Sequence, residues 1–174
     1  MIVNLYSFYE LVPKNYNITW LYQKRSMEKV AVVTGSSSGI GFETSLALAR
    51  DGYFTYATMR DLKKVDDIHK IANEESLPLK VIELDVDNEE SAENAIKLII
   101  QERGRIDVLV NNAGWGIWGT AEDVSVEEFK AQFETNFFSV VRMIQKVAPI
   151  MREQGSGNIA VSYTHLTLPT IYSV

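Results

Sequence analysis

Three glycines and three serines follow a short apolar run near residue 30, and residues of these types could bind phosphate groups. Residues 30–33 are small or β-branched, as in a buried parallel strand, and an amphipathic run to residue 48 follows the glycines. Glycines let a ligand approach the backbone closely, and a helix N-terminus offers unpaired N–H groups and a positive dipole end. The stretch predicts a dinucleotide site, although a glycine-rich turn without a ligand would share this local pattern. The residues expected at the phosphates are Gly35, Ser37, Ser38, Gly39, Ile40 and Gly41.

The spacing of these glycines separates the site from two commoner phosphate loops. Gly35-x-x-x-Gly39-x-Gly41 is not the G-x-G-x-x-G pattern, and no lysine follows it as a P-loop requires. Two later segments, Asp85-Val86 and Asn112-Ala113-Gly114, also come at the ends of apolar runs, the second of them after one further asparagine, Asn111. Because ligands of parallel sheets bind at the carboxyl ends of strands, we expect both segments to lie beside the glycines. The alternatives are that Asp85 caps the next turn and that the asparagines only form a tight turn.

The elements that must position these residues alternate between strand and helix. The predicted strands are residues 30–33, 53–58, 79–84 and 107–110, with a fifth that starts at 157. The predicted helices are residues 39–50, 63–75, one that follows a capping box at 87–90, and one that runs from a second capping box at 125–128 to about residue 152. This alternation predicts an α/β fold with a doubly wound parallel sheet, the Rossmann fold.

The last predicted helix has an apolar stripe at helical spacing, which favours core or subunit contact over a cofactor site. The stripe comprises Phe129, Phe133, Phe137, Val140, Ile144 and Val147. Asn136 interrupts this aromatic region, and an amide side chain there is difficult to explain as part of a core.

Composition and charge exclude several classes of function. With 174 residues the chain has room for one domain, and a net charge of −6 without a basic stripe argues against nucleic-acid or anionic-membrane partners. The absence of cysteine excludes disulfides and thiolate sites, and two histidines in unrelated contexts disfavour a metal site. No apolar run reaches membrane-spanning length. We therefore expect a cytoplasmic protein that binds a small molecule.

Residues 28–159 resemble the short-chain dehydrogenase/reductase family. The resemblance is carried by the segments already described, TGxxxGIG from Thr34, Asp85-Val86 and NNAG at residues 111–114, together with Asn136, in the family's order and rough spacing. It implies that Asp85 hydrogen-bonds the adenine amine and that Val86 contacts the adenine ring. It also implies that Asn112, Ala113 and Gly114 leave room for the ribose and brace the central sheet. Asn136 matches the family's catalytic asparagine, which supports a water relay.

The charges after the second strand favour NADP(H) over NAD(H). An acidic residue about 20 residues beyond the glycine loop binds the ribose 2′-hydroxyl of NAD, whereas arginine accommodates the 2′-phosphate. Met59 occupies the place of that acid, and Arg60 follows it, able to pair with a phosphate. The alternatives are that Asp61 takes the acidic role, or that Arg60 is an ordinary surface charge.

The catalytic part of the resemblance is incomplete. The family uses a serine to hold the carbonyl oxygen and a tyrosine, with a lysine four residues later, to move the proton. Thr164 falls at the serine position when residues are counted without gaps, and Ser162 comes two residues earlier. No Tyr-x-x-x-Lys follows either of them, since Thr167 stands four residues after Tyr163. We therefore expect a C-terminally incomplete and inactive chain, with 27–160 as the NADP-binding domain, 161–174 as a non-family tail and 1–26 as an extension of uncertain status.

In the intact protein, the resemblance implies hydride transfer between a nicotinamide and a secondary alcohol or ketone. Trp115, Ile117 and Trp118, directly after the NNAG turn, are expected to line an apolar substrate pocket. The alternative is that one or both tryptophans pack on the long helix. The full-length form is expected to be a homo-oligomer. The alternative function is that of a non-catalytic dinucleotide-binding module, which needs no tyrosine–lysine pair.

Overall fold

The computed structural model describes residues 28–120 and 122–162, which form one parallel sheet with helices on both faces. The strands are β1 (Val30–Val33), β2 (Phe54–Met59), β3 (Leu79–Glu83), β4 (Val108–Asn111) and β5 (Asn158–Val161). The helices are α1 (Gly39–Arg50), α2 (Asp66–Glu74), α3 (Glu89–Arg103), α4 (Val126–Phe133) and α5 (Ser139–Gln154), with a 3₁₀ turn at Leu62–Lys64 and a π-helical turn at Glu134–Phe138. The expected extension 1–26, most of the expected tail 161–174, and Thr164 lie outside the described residues.

The strand order is β3-β2-β1-β4-β5, and every neighbouring pair is parallel. The order reverses between β1 and β4, so a crevice opens at the carboxyl ends of these strands. This arrangement confirms the predicted doubly wound α/β fold. The predicted elements agree with the observed ones to within about two residues at most ends, as is usual for helix termini.

The apolar face of each helix packs on one side of the sheet. On one side, Ala92, Ala95, Ile96 and Ile99 of α3 pack with residues of α5 against β1, β2 and β4. On the other side, α1 and α2 cover β2 in a smaller cluster formed by Leu46, Ala57, Met59 and Ile68. Both layers hold β1 with all four residues fully buried, which fixes the position of the glycine loop that follows it.

The long helix is not the single regular helix that the sequence predicts, because the π-helical turn separates α4 from α5. Its buried face contains Thr135, Ser139, Met143 and Val147, whereas the aromatic residues of the predicted stripe are exposed. The three exposed aromatic residues are Phe129, Phe133 and Phe137. These three do not belong to the core of the chain, because Thr135 and Ser139, whose hydroxyls are hydrogen-bonded, occupy the inward positions. Subunit contact, the other predicted role of the stripe, stays a prediction.

The two predicted capping boxes have different outcomes. Ser125 and Glu128 form the full reciprocal pair at the start of α4. At α3 the cap is Asn88 instead of Asp87, and its side chain accepts from the N–H of Ser91. Asp87 does not cap the helix, since its carboxylate accepts a hydrogen bond from Thr135.

Among the helices of residues 28–162 that the structure describes, none is long and apolar enough to cross a membrane.

Candidate functional site

A cavity of about 890 Å³ opens at the carboxyl ends of the strands, where the sheet order reverses. It brings together ten of the twelve predicted cofactor residues and two of the three predicted catalytic residues. The predicted residues that line it are Gly35, Ser37, Ser38, Ile40, Arg60, Asp85, Val86, Asn112, Ala113, Gly114, Asn136 and Ser162. Gly39 and Gly41 lie in the first turn of α1 and do not line the cavity, and Thr164 lies outside the described residues.

The three loop glycines are required for different reasons. At Gly41 an added Cβ would come within 2.3 Å of the Asn112 Nδ2 atom, and at Gly35 within 2.7 Å of the Ala113 Cα atom. These two glycines therefore allow close packing against the turn after β4. Gly39 has a φ of +61° and open space around the Cβ position, so its glycine is required by backbone conformation instead of packing. Its exposed backbone leaves room for a ligand at the start of α1.

Thr34 and Asn112 join the glycine loop to the turn after β4. The Thr34 hydroxyl accepts from the backbone N–H groups of Asn112 and Ala113 at 2.9 and 3.0 Å. In return, Asn112 Nδ2 donates to the carbonyl oxygens of Thr34 and Gly35, both at 3.1 Å. Asn112 Oδ1 accepts from the Ser162 hydroxyl at 3.2 Å, which extends the connection to the end of β5. The asparagine thus braces three strands, as the resemblance implies.

Sequence reasoning missed two buried serines whose hydrogen bonds attach the loop after β1 to β2 and α1. Ser36 donates its backbone N–H to the Thr58 carbonyl and its hydroxyl to the Val33 carbonyl, at 2.8 and 2.9 Å. The Ser45 hydroxyl lies 2.9 Å from that of Ser36, and both residues are fully buried. The available signal was Ser45 itself, a polar residue on the inward face of an amphipathic helix, one turn after Gly41.

The loop that follows β3 is attached to the long helix by two side chains. Arg142 Nη1 donates to the Val86 carbonyl at 2.6 Å, and the Thr135 hydroxyl donates to Asp87 Oδ2 at 2.7 Å. Arg142 also pairs with Glu134 at 2.6 Å, and this hydrogen bond raises the pKa of the guanidinium against the opposing effect of burial. Asp85 accepts from the N–H of Asp87 at 3.1 Å, so the loop presents Asp85 and Val86 to the cavity in a fixed conformation.

Asn136 lies in the π-helical turn and holds the backbone of Trp115. Its Oδ1 atom accepts from the Trp115 N–H at 3.1 Å, and its Nδ2 atom donates to the Trp115 carbonyl at 2.7 Å. Gln132 adds a second donor to that carbonyl at 3.2 Å. Trp115 lines the cavity, whereas Ile117 and Trp118 do not, and the Trp118 side chain is 89% exposed. Of the three residues expected to line a substrate pocket, only Trp115 is so placed within the described part of the chain.

The end of β2 presents a positive charge to the cavity. Met59 and Arg60 both line it, and Met59 is nearly fully buried. The carboxylate of Asp61 accepts from the backbone N–H of Lys63 at 3.0 Å and caps the 3₁₀ turn. Asp61 therefore has a local structural role, and it is not among the residues that line the cavity.

Residues 29–164 match the model of the family described as short chain dehydrogenase. The chain belongs to this family. A member from Bacteroides thetaiotaomicron, 3-ketodihydrosphingosine reductase, is 40% identical over 131 residues, which cover 75% of this chain and 45% of the relative. Human retinol dehydrogenase 8 is 39% identical over 137 residues, 76% of this chain and 43% of the relative. The chain thus spans less than half the length of these two family members.

Solved structures of the family share the fold. The alcohol dehydrogenase of the archaeon Thermococcus sibiricus, in complex with 5-hydroxy-NADP, superposes with a TM-score of 0.71 at 36% identity. The match covers 77% of this chain and 57% of the archaeal one. Membership of the family and the Rossmann fold are therefore established together.

Proposed function

We propose that this chain forms the NADP(H)-binding part of an oxidoreductase that transfers hydride between a nicotinamide and a secondary alcohol or ketone. The observation that supports it is the cavity, where the glycine loop, Arg60, Asp85 and the turn after β4 converge beside Asn136. These segments are distant in sequence, and the fold brings them to one cavity. A relative named as a dehydrogenase and one named as a reductase belong to the same family, which supports this class of reaction.

The residues of the cavity fit a dinucleotide. Gly39 leaves an exposed backbone with a positive φ at the start of α1, where pyrophosphate oxygens would accept from N–H groups. Ser37 and Ser38 add hydroxyl donors at the cavity wall. On the far side, Asp85 would accept from the adenine amine and Val86 would contact the ring. When bound, the nicotinamide supplies the hydride donor or acceptor; the side chains of this chain bind and orient it.

The cofactor is NADP(H) rather than NAD(H). Arg60 is the cationic side chain at the carboxyl end of β2, next to a buried methionine where an NAD-type acid would stand. Asp61 caps the 3₁₀ turn and does not line the cavity, which disfavours it as the residue that contacts the ribose. A guanidinium can pair with a 2′-phosphate through two parallel hydrogen bonds. The Thermococcus sibiricus relative was solved with an NADP derivative, in agreement with this choice.

The substrate side is formed by Trp115, Asn136 and Ser162. The Ser162 hydroxyl faces the cavity within reach of Asn112 and would hold the oxygen of an alcohol or carbonyl group. The indole of Trp115 gives this end an apolar wall, which suits a lipophilic substrate. Two relatives, a 3-ketodihydrosphingosine reductase and a retinol dehydrogenase, are named for lipophilic substrates.

A second function, dinucleotide binding without catalysis, is compatible with the same observation. The cavity unites the proposed cofactor contacts, and binding alone needs no tyrosine–lysine pair. Both functions require cofactor binding, and only the first requires hydride transfer. Cofactor binding is therefore the first property to measure.

The test is calorimetric titration of the chain with NADPH and NADH. We expect NADPH to bind at least about tenfold more tightly, because a charge-assisted hydrogen bond contributes about 1.5–3 kcal/mol. Arg60→Asp should reverse this order, whereas Lys64→Asp, the same charge change at an exposed site outside the cavity, should preserve it. Equal affinities for the two cofactors in all three proteins would contradict the role of Arg60, and no binding would contradict the proposed function itself.

A further inference from the structure

Three side chains form a continuous hydrogen-bonded chain along the wall of the cavity. The indole Nε1 atom of Trp115 donates to the Thr135 hydroxyl at 3.0 Å, and that hydroxyl donates to Asp87 Oδ2 at 2.7 Å. The direction is fixed, because an indole N–H can only donate and a carboxylate can only accept. Thr135 has a single hydroxyl proton, and the one other acceptor that it approaches among the described residues, the Ala131 carbonyl, lies at 3.5 Å. The hydroxyl therefore links the two side chains: it accepts from Trp115 and donates to Asp87.

The two ends of this chain belong to opposite ends of the proposed site. Asp87 lies in the loop after β3, and its backbone N–H donates to Asp85, the residue proposed to bind adenine. Trp115 follows the turn after β4, on the side proposed to face the substrate. Thr135, only 8% exposed, lies between them on the inward face of the π-helical turn. It is the single residue whose side chain bonds to both segments among those described.

The Asp87 carboxylate depends on this link. Its Oδ1 atom is buried without a hydrogen-bond partner among the described residues, so Oδ2 has the strongest contact, with Thr135. The Asp87 side chain is half-buried, and losing the bond from Thr135 would leave both of its carboxylate oxygens without a side-chain donor, one of them in a buried position. A ligand that shifts or orders Asp85 and Asp87 must therefore act on Thr135 and, through it, on the indole.

We propose that Thr135 is a positioning residue that couples the adenine end of the cavity to Trp115, so that the adenine half of the cofactor fixes the indole on the substrate side. The proposal rests on the cofactor site described under Proposed function. It assigns Thr135 no contact with cofactor or substrate. Its role is to transmit order from the loop after β3 to the segment after β4.

The experiment uses the ¹⁵N-labelled chain and adenosine 2′,5′-bisphosphate, which corresponds to the adenine half of NADP(H). The chain has three tryptophans, and the indole cross-peak of Trp115 is assigned by its loss in Trp115→Phe. We expect the ligand to shift this cross-peak and to slow the exchange of the indole N–H proton with solvent. The shift should saturate at the ligand concentration at which calorimetric binding also saturates. The exposed indole of Trp118 is the internal control and should not respond.

Two variants at one position separate coupling from structure. Thr135→Ser keeps the hydroxyl and should keep the response of the Trp115 indole, whereas the isosteric Thr135→Val should abolish it while calorimetry still detects the ligand. If Thr135→Val does not fold, Asp87→Ala at saturating ligand removes the same link from its other end and should give the same loss.

The outcomes are distinguishable. Binding without any response of the Trp115 cross-peak, or an undiminished response in Thr135→Val, would overturn the coupling and leave the cofactor site intact. No heat of binding in the unmodified chain would overturn both the cofactor site and the coupling that depends on it. A response lost in Thr135→Val and retained in Thr135→Ser would establish the role of the hydroxyl.

Discussion

Gly41 and Asn112 are in such close contact that no side chain fits between them: a Cβ at Gly41 would lie 2.3 Å from Asn112 Nδ2. The first residue lies in the first turn of α1 and the second in the turn after β4, about seventy positions later. That Nδ2 atom donates to the carbonyl oxygens of Thr34 and Gly35. The glycine is therefore required so that the asparagine can hold the loop.

Gly41→Ala should destabilise the fold by about 1–3 kcal/mol, the usual cost of overpacking. Alanine is the better helix former, so helix propensity alone would predict the opposite sign. In an Asn112→Ala background the penalty should decrease and not vanish, because the Gly35 carbonyl oxygen also lies 2.3 Å from the added Cβ. Urea denaturation of the four proteins measures this coupling. Strictly additive costs would show that the two residues do not contact each other as described.

Gly39→Ala and Gly104→Ala form a matched pair. Both glycines have a positive φ, +61° and +73°, with no atom within 4 Å of an added Cβ. Each substitution should therefore cost about 1–2 kcal/mol of stability through backbone strain. Only Gly39→Ala should also weaken NADPH binding, because Gly104 terminates α3 far from the cavity. Equal affinities in the two variants would remove the glycine loop from the proposed phosphate site.

Much of the fold could be predicted because local and long-range patterns agree. Residues 30–33, predicted as a buried strand, are apolar throughout and fully buried. In the first half of the long helix the aromatic residues of the predicted stripe do not enter the core, and the subunit contact predicted as their other role stays a prediction. There the inward residues are Thr135 and Ser139, which are satisfied by hydrogen bonds to partners that the sequence does not reveal.

In the candidate site, too, the features with a local sequence pattern could be predicted, and those that depend on distant partners could not. The glycines and the NNAG turn could be found because each has a short-range motif. The bonds among Trp115, Thr135 and Asp87 could not, because they join three segments whose proximity results from the order of the sheet and the π-helical turn. A threonine next to Asn136 has no pattern of its own that distinguishes it from a surface residue.

Acid should destabilise the chain through Asp107. Burial alone would raise the pKa of this carboxylate, but hydrogen bonds from Arg105 and from the backbone N–H of Val30 lower it below its ordinary value. The carboxylate therefore stabilises the fold above the unfolded pKa of about 3.9, and this contribution is lost as pH falls through the lower folded pKa. Unfolding free energy measured between pH 6 and pH 3 should decrease accordingly.

Asp107→Asn tests this assignment. It should cost about 1–3 kcal/mol at neutral pH, because the Arg105 and Val30 donors lose a charged acceptor, and its stability should depend less on pH in the acid range. Asp51→Asn makes the same chemical change at an exposed position and should alter stability by no more than about 0.5 kcal/mol. Identical pH profiles for the unmodified chain and Asp107→Asn would exclude Asp107 as the acid-sensitive group.

The 174-residue chain should bind NADPH and fail to reduce ketones. A carbonyl reduced without a positioned proton donor loses on the order of 10²–10⁴ in rate, and the printed sequence has no Tyr-x-x-x-Lys after Ser162. The measurement is NADPH oxidation against a panel of lipophilic ketones, with calorimetric NADPH binding as the control that the site is formed. Turnover at an ordinary enzymatic rate would contradict the prediction and would require a substitute acid. Tyr163 and Tyr172 would then be the first residues to replace with phenylalanine, because they are the only tyrosines that follow Ser162.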